Sequence, residues 1–229
     1  MRNNEIADIF FDLDHTLWDF DRNSGLAFER VFRKHNITLP LVDFLREYEP
    51  INLLYWKKFR EDRVSKDELR RGRLTDTFNI FELKYPLETI DAIAVCYIEE
   101  LPIDNHLFLN TVEILDYLSS KYNLHIITNG FEQVQYLKLN NSGIKKYFKT
   151  VTTSEEVGLK KPHPSVFQAA LNKASAVPNK SVMIGDSFEA DIIGANNAGM
   201  HTLFFNYRNE AVAPPYLAIT ELSEIKKYL

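Results

Sequence analysis

The chain has 229 residues, 45% of them apolar and 26% charged, the balance of an ordinary globular protein with material for a large core and one or two domains. A net charge of −5 excludes a nucleic-acid-binding surface spread over the whole molecule and leaves room only for a local basic pocket. No run approaches the roughly 18 apolar residues of a membrane span, and MRNNEIADIFFDLD lacks the apolar run of a signal peptide. A cytoplasmic protein is therefore expected. The single cysteine, Cys96, cannot close an internal disulfide, which fits a reducing compartment. Its helical spacing in IDAIAVCYIEEL makes it a packing residue rather than a nucleophile.

The first β-rich run is IADIFF (6–11), which ends in Asp12, Asp14 and Thr16. Two carboxylates so close repel one another and lose hydration if buried. They mark either a strand running out into a polar turn or a held cation. A long interval then follows in which apolar residues recur at three- and four-residue spacings. SGLAFERVFRKHN, LVDFLREYEPINLLYWKKFREDR, SKDELRRGRLTDTFNIFEL and LETIDAIAVCYIEEL each predict a helix, and TVEILDYLSSKY leads back to a strand.

Four further β-rich runs come after the interval: LHIIT (124–128), TVTTS (150–154), SVMIG (181–185) and HTLFF (201–205). The helical patterns FEQVQYLKLNNSG, PSVFQAALNKA and FEADIIGANNAG alternate with them, and Gly143 and Gly199 are placed as C-caps. Strand–helix alternation with near-continuous apolar strands predicts an α/β fold, a parallel sheet with helices on both faces. Residues 1–18 and 105–229 are expected to form that discontinuous sheet domain, and 19–104 an inserted helical one. An insertion leaving at this point would sit over the carboxyl ends of the strands. AVAPPYLAITELSEIKKYL predicts a proline-marked loop and a closing helix.

Open parallel sheets bind ligands beyond the carboxyl ends of their strands. The first strand is followed there by Asp12 and Asp14, the second by Thr128-Asn129-Gly130, the third by Lys160-Lys161-Pro162, and the fourth by Asp186, Ser187 and Asp191. Taken singly, TNG is a good turn, KKPHP a solvated loop, and GDS a helix N-cap. Together, four polar segments at four strand ends converge on one crevice. Asp12, Asp14 and Asp186 offer hard oxygen ligands suited to Mg²⁺. Thr128, the amides opening the next helix, and Lys161 suit a phosphate dianion. One carboxylate can attack phosphorus while the other moves protons. The six histidines fall at no metal-ligand spacing, and His15 and His163 read as variable loop positions.

These residues resemble the haloacid dehalogenase-like superfamily of phosphohydrolases: DLDHT its first motif, Thr128 its second, Lys161 before Pro162 its third, and GDSFEAD its fourth. The resemblance implies a Rossmann-like core with Asp12 as nucleophile and Asp14 as general acid and base. Thr128 and the backbone of Asn129 would bind phosphate, with Lys161 neutralising it. Mg²⁺ would be held by Asp12, the backbone carbonyl of Asp14, and Asp186, while Asp191 would support the metal's waters or orient Lys161. The insertion resembles a C1-type cap. FFDLDHTLWDFDRNS with SKDELRRGRLTDTF is similar to the pyrimidine 5′-nucleotidase branch, which implies a pyrimidine mononucleotide as substrate.

Within the insertion, Arg70, Arg71 and Arg73 cluster near Phe78 and Phe81. A nucleotide favours a cation and an aromatic face, and Arg73 is the strongest candidate to contact substrate, though a solvated helix face would look similar. Trp18 and Phe20 could form a hinge or simply pack. Carbon–halogen hydrolysis has no use for both Asp14 and Asp186. Phosphoglycolate, a small sugar phosphate or a phosphomutase reaction would use the same groups, and a module that binds phosphate without turnover would need no pair at Asp12 and Asp14.

Overall fold

A computed structural model describes residues 6–229. It divides into two compact units, Met1–Phe20 with Asn105–Leu229, and Asp21–Asp104. Among the described residues, no helix is long and apolar enough to cross a membrane.

The first unit is built on six strands: β1 (Asp8–Phe11), β2 (Asn123–Thr128), β3 (Phe148–Thr153), β4 (Ser181–Gly185), β5 (His201–Phe205) and β6 (Ala218–Ile219). They form one sheet in the order β3-β2-β1-β4-β5-β6, and every pairing is parallel. Residues Ile9, Phe10 and Phe11 of β1 are fully buried, as a central strand covered on both faces requires. From β1 the chain builds outward through β2 and β3, then returns to the other side of β1 as β4. The strand order therefore reverses between β1 and β4, and the carboxyl ends of those two strands flank the crevice where such folds bind ligands.

The second unit contains α1 (Phe20–Lys34, whose first residue belongs to the sheet unit), α2 (Leu41–Arg60), α3 (Lys66–Ile80) and α4 (Leu87–Glu100). A capping box of Ser65 and Glu68 starts α3. Its core is aromatic: the Phe28 ring stacks on Tyr97 at 4.2 Å and meets Phe44 and Tyr48 edge-on at 4.9 and 4.7 Å. Glu100, at the end of α4, accepts from Arg30 and from Lys34 of α1.

The sheet unit continues with α5 (Thr111–Ser119), α6 (Glu132–Asn141), the single turn α7 (Ser154–Val157), α8 (Pro164–Ala174) and α9 (Gly194–Asn197). Helix α8 buries Val166, Phe167, Ala170 and Leu171 against Phe10, Ile127 and Met183 of three adjacent strands. The expected helix over FEADIIGANNAG is in fact a π-helical turn, Phe188–Ile193, followed by α9. The expected closing helix is a 3₁₀ helix, Leu222–Lys227, and β6 precedes it. Because Phe167 lies at the centre of the α8 contact and is fully buried, Phe167→Ala is expected to destabilise the protein by about 3–5 kcal/mol in denaturant titration. An unchanged midpoint would contradict this packing.

Candidate active site

Asp12 is the first residue beyond β1, and its amide donates to the Ile184 carbonyl of β4 at 2.9 Å. The chain then closes a tight loop. The Leu13 carbonyl accepts from the amides of Leu17 and Trp18 at 3.0 and 2.9 Å, and the His15 amide donates to the Trp18 carbonyl at 2.9 Å. Closing it requires a left-handed backbone at His15, φ 63°. Trp18 is fully buried, so its ring seats this loop in the protein.

Lys161 reaches the same point from the loop before α8. Asn129 fixes that loop to the end of β2 by a reciprocal pair: its side-chain amide donates to the Lys161 carbonyl at 2.9 Å, and the Lys161 amide donates back to its Oδ1 at 2.8 Å. The Lys161 ammonium is 2% exposed. It donates to Asp12 Oδ1 at 2.7 Å, Asp191 Oδ1 at 2.6 Å and the Ile127 carbonyl at 2.8 Å, so all three protons are used. Burial would push this ammonium's pKa down, but the facing carboxylates of Asp12 and Asp191 overcome it and hold the pKa above the ordinary lysine value. Asp191 receives a second bond, from the Ser187 amide to Oδ2 at 3.0 Å. Gly185 gives it space: a methyl built there would overlap the Asp191 carboxylate.

Oxygen atoms of Asp12, Asp186 and Asp191 all lie within 4.8 Å of one another. Burial pushes the Asp12 carboxyl up to about 7; Lys161 opposes the rise, and the charge of Asp191 adds to it. Burial likewise carries Asp186 well above the usual carboxylate range, with Asp12 and Asp191 adding to the effect. Buried oxygens that repel one another are a donor set that a small hard dication would satisfy. Both Asp191 oxygens accept short bonds, at 2.6 and 3.0 Å, whereas the donors to Asp186 lie at 3.4 and 3.5 Å and Asp12 gives one oxygen to Lys161, so Asp12 and Asp186 are the better placed to ligate. On this test the residues fit a metal ion.

Thr128 ends β2, and its Oγ1 accepts from the Gly130 amide at 3.1 Å and from Gln135 Nε2 at 2.7 Å. Gln135 Nε2 also donates to Asp14 Oδ2 at 2.9 Å, while Lys138 Nζ donates to Asp14 Oδ1 at 2.6 Å. Thus Asp12, Asp186, Asp191 and Lys161 form one cluster, buried except for the half-buried Asp186, and Asp14 and Thr128 are joined through α6. The pattern reading missed Gln135 and Lys138, although they stand three apart on one helix face. It also passed over the end of β5. There, Arg208 Nη1 lies 3.4 Å from Asp186 Oδ2, and Tyr207 Oη lies 2.9 Å from His15 Nδ1. His163 caps α8 by accepting from the Ser165 amide at 3.2 Å. Arg73 belongs to the helical unit. It is 2% exposed, donates to Asn52 Oδ1 at 2.8 Å, and lies 5.2 Å from the Tyr97 ring centre.

A family model described as haloacid dehalogenase-like hydrolase matches residues 9–205. The chain is 32% identical to pyrimidine 5′-nucleotidase YjjG of Escherichia coli, over 96% of each chain. It is also 32% identical to a glyceraldehyde 3-phosphate phosphatase of Methanothermobacter thermautotrophicus, over 86% of this chain and 84% of that one. A magnesium-bound crystal structure of YfnB from Bacillus subtilis superposes with a TM-score of 0.89 at 27% identity, covering 98% of this chain and 99% of the other.

Removing the ammonium from this cluster would leave Asp12 and Asp191 buried without their counter-charge. Lys161→Met is therefore expected to lower stability by about 3–5 kcal/mol at neutral pH. Equal denaturation midpoints for the variant and the parent would contradict that account.

Proposed function

The chain belongs to the haloacid dehalogenase-like hydrolases and is a phosphohydrolase, and from that premise we propose a Mg²⁺-dependent phosphomonoesterase that works through an aspartyl-phosphate and acts on pyrimidine nucleoside 5′-monophosphates. The observation that carries the reading is the pair Asp12 and Asp14 beyond the central strand. One carboxylate is held by Lys161 and the other by α6. Their separate surroundings suit separate tasks.

In this scheme a carboxylate oxygen of Asp12 attacks phosphorus, and the bond from phosphorus to the leaving oxygen breaks. Asp14 gives that oxygen its proton, so the free alcohol departs and the phosphoryl group stays on Asp12. Water then attacks the same phosphorus while Asp14 takes its proton. The acyl phosphate bond between the Asp12 oxygen and phosphorus breaks, inorganic phosphate leaves, and both carboxyl groups return to their starting states. Thr128 and the backbone of Asn129 bind the phosphoryl oxygens, and Lys161 supplies positive charge beside them. Bound Mg²⁺, held by Asp12, the Asp14 carbonyl and Asp186, would offset the repulsion between nucleophile and phosphate. Asp191 keeps Lys161 in place.

The pyrimidine nucleotide is favoured by the likeness to the nucleotidase, which runs over nearly the full length of both chains. Arg73 is the residue we assign to recognising the leaving group, as a guanidinium whose Nε is buried without a partner. A second reading, a triose phosphate or similar small phosphate ester, is favoured by the relative named for glyceraldehyde 3-phosphate at the same identity. The setting would be cytoplasmic.

Phosphate release should be followed with UMP, dUMP, dTMP, CMP, AMP, phosphoglycolate and glyceraldehyde 3-phosphate. Pyrimidine monophosphates are expected to lead, EDTA to abolish release, and added Mg²⁺ to restore it. Asp12→Asn should lose more than about 10⁴-fold in kcat with the parent's melting temperature, and Asp14→Asn about 10²–10⁴-fold with a lowered one, because Asp14 meets the charge of the buried Lys138 ammonium. Preference for glyceraldehyde 3-phosphate would replace the nucleotide reading, and full activity in Asp12→Asn would end the nucleophile assignment.

A further inference from the structure

Two residues of the sheet unit touch Asp14 and have no part in the scheme above. Gln135 and Lys138 stand one turn apart on α6, fully buried and 2% exposed respectively. Their nitrogens donate to different oxygens of Asp14, Gln135 at 2.9 Å and Lys138 at 2.6 Å. Held at both oxygens, the carboxyl group cannot turn about its own axis, and only its remaining lone pairs face outward. Burying a lysine is costly unless its charge is met. Here it is met by Asp14, with the Trp18 ring 4.1 Å and the Phe20 ring 5.1 Å from the ammonium.

Gln135 does a second thing. Its amide nitrogen also donates to Thr128 Oγ1 at 2.7 Å, and the Gly130 amide donates to the same oxygen at 3.1 Å. A hydroxyl oxygen has two lone pairs and one proton. With both lone pairs taken, the Thr128 proton can only be donated onward. The Gln135 amide is set with its nitrogen toward both Asp14 Oδ2 and Thr128 Oγ1. The fit is tight: a methyl built on Gly130 would overlap the Gln135 amide, so glycine is what admits this side chain to both partners.

We propose that Gln135 and Lys138 are positioning residues for the reaction: together they aim the Asp14 carboxyl at the leaving oxygen, and Gln135 turns the Thr128 hydroxyl into a donor toward the phosphoryl group. The inference rests on the reading of Asp14 as the proton-transfer group. It separates orientation from chemistry. The proton moves on Asp14, and α6 decides where it is delivered.

The test compares kcat/KM for p-nitrophenyl phosphate, whose leaving group departs with little help from an acid, with that for an alkyl monoester. UMP serves as the latter, or glyceraldehyde 3-phosphate if the panel selects it. Lys138→Met should lose about 100-fold or more on the alkyl ester and several-fold less on the aryl ester, and Lys138→Arg should regain most of the loss. Gln135→Leu should show the same selectivity and also weaken competitive inhibition by inorganic phosphate by about 10-fold. Gly130→Ala keeps both side chains, and it should reproduce the Gln135→Leu pattern even if that variant does not fold. Equal losses on both esters, or no loss, would overturn the proposal. Asp14→Asn is the control for the underlying reading. If it discriminates between the esters and the α6 variants do not, positioning alone has failed. If Asp14→Asn does not discriminate, the acid–base reading fails and the positioning proposal fails with it.

Discussion

The arrangement depends on one ammonium group. Lys161 is buried among carboxylates and donates to Asp12 and Asp191 at once. Without a cation there, the central strand could not end in a buried aspartate facing another from the π-helical turn. The desolvation and repulsion would fall on the same few atoms. Much of the surrounding local structure serves that convergence. Asn129 clamps the Lys161 backbone, Gly185 leaves space for Asp191, and the Ser187 amide holds the second oxygen of Asp191.

The sheet order explains why these groups meet. Placing β1 between β2 and β4 brings the ends of three strands together, and the candidates for nucleophile, phosphate-binding hydroxyl and metal ligand, Asp12, Thr128 and Asp186, stand at those ends. Asp186 remains the least satisfied member. Its neighbours are Thr16, 3.5 Å from Oδ1, and Arg208, 3.4 Å from Oδ2. Charge of the same sign as a metal thus already borders the position where the carboxylate oxygens converge.

Much of the sheet was legible because strands buried on both faces have to be nearly continuous apolar runs. IADIFF, LHIIT, SVMIG and HTLFF fall on β1, β2, β4 and β5. Strand β3 begins at Phe148, earlier than the pattern suggested, and Ser154 opens α7 instead of ending the strand. Two-residue β6 is too short to show any period. The π-helical turn was hidden because its cause is tertiary. Asp191 is drawn back to the Ser187 amide and Lys161, and the Ile192 amide bonds to the Ser187 carbonyl at 3.3 Å. In the site, residues directly after strands could be placed from order alone. Gln135 and Lys138 could not, since a glutamine and a lysine on a helix look solvated until their depth is known. Tyr207 and Arg208 follow the fifth strand, an end the motif logic gave no reason to inspect.

In the proposed scheme the phosphoryl group rests on Asp12 between two chemical steps. A rapid acid quench of the enzyme turning over UMP labelled on phosphorus, followed by peptide mapping of the trapped protein, tests this. The account predicts label on the peptide that contains Asp12, lost on treatment with hydroxylamine as an acyl phosphate should be. Label on another residue, or a burst of uridine with no label on the protein, would contradict it.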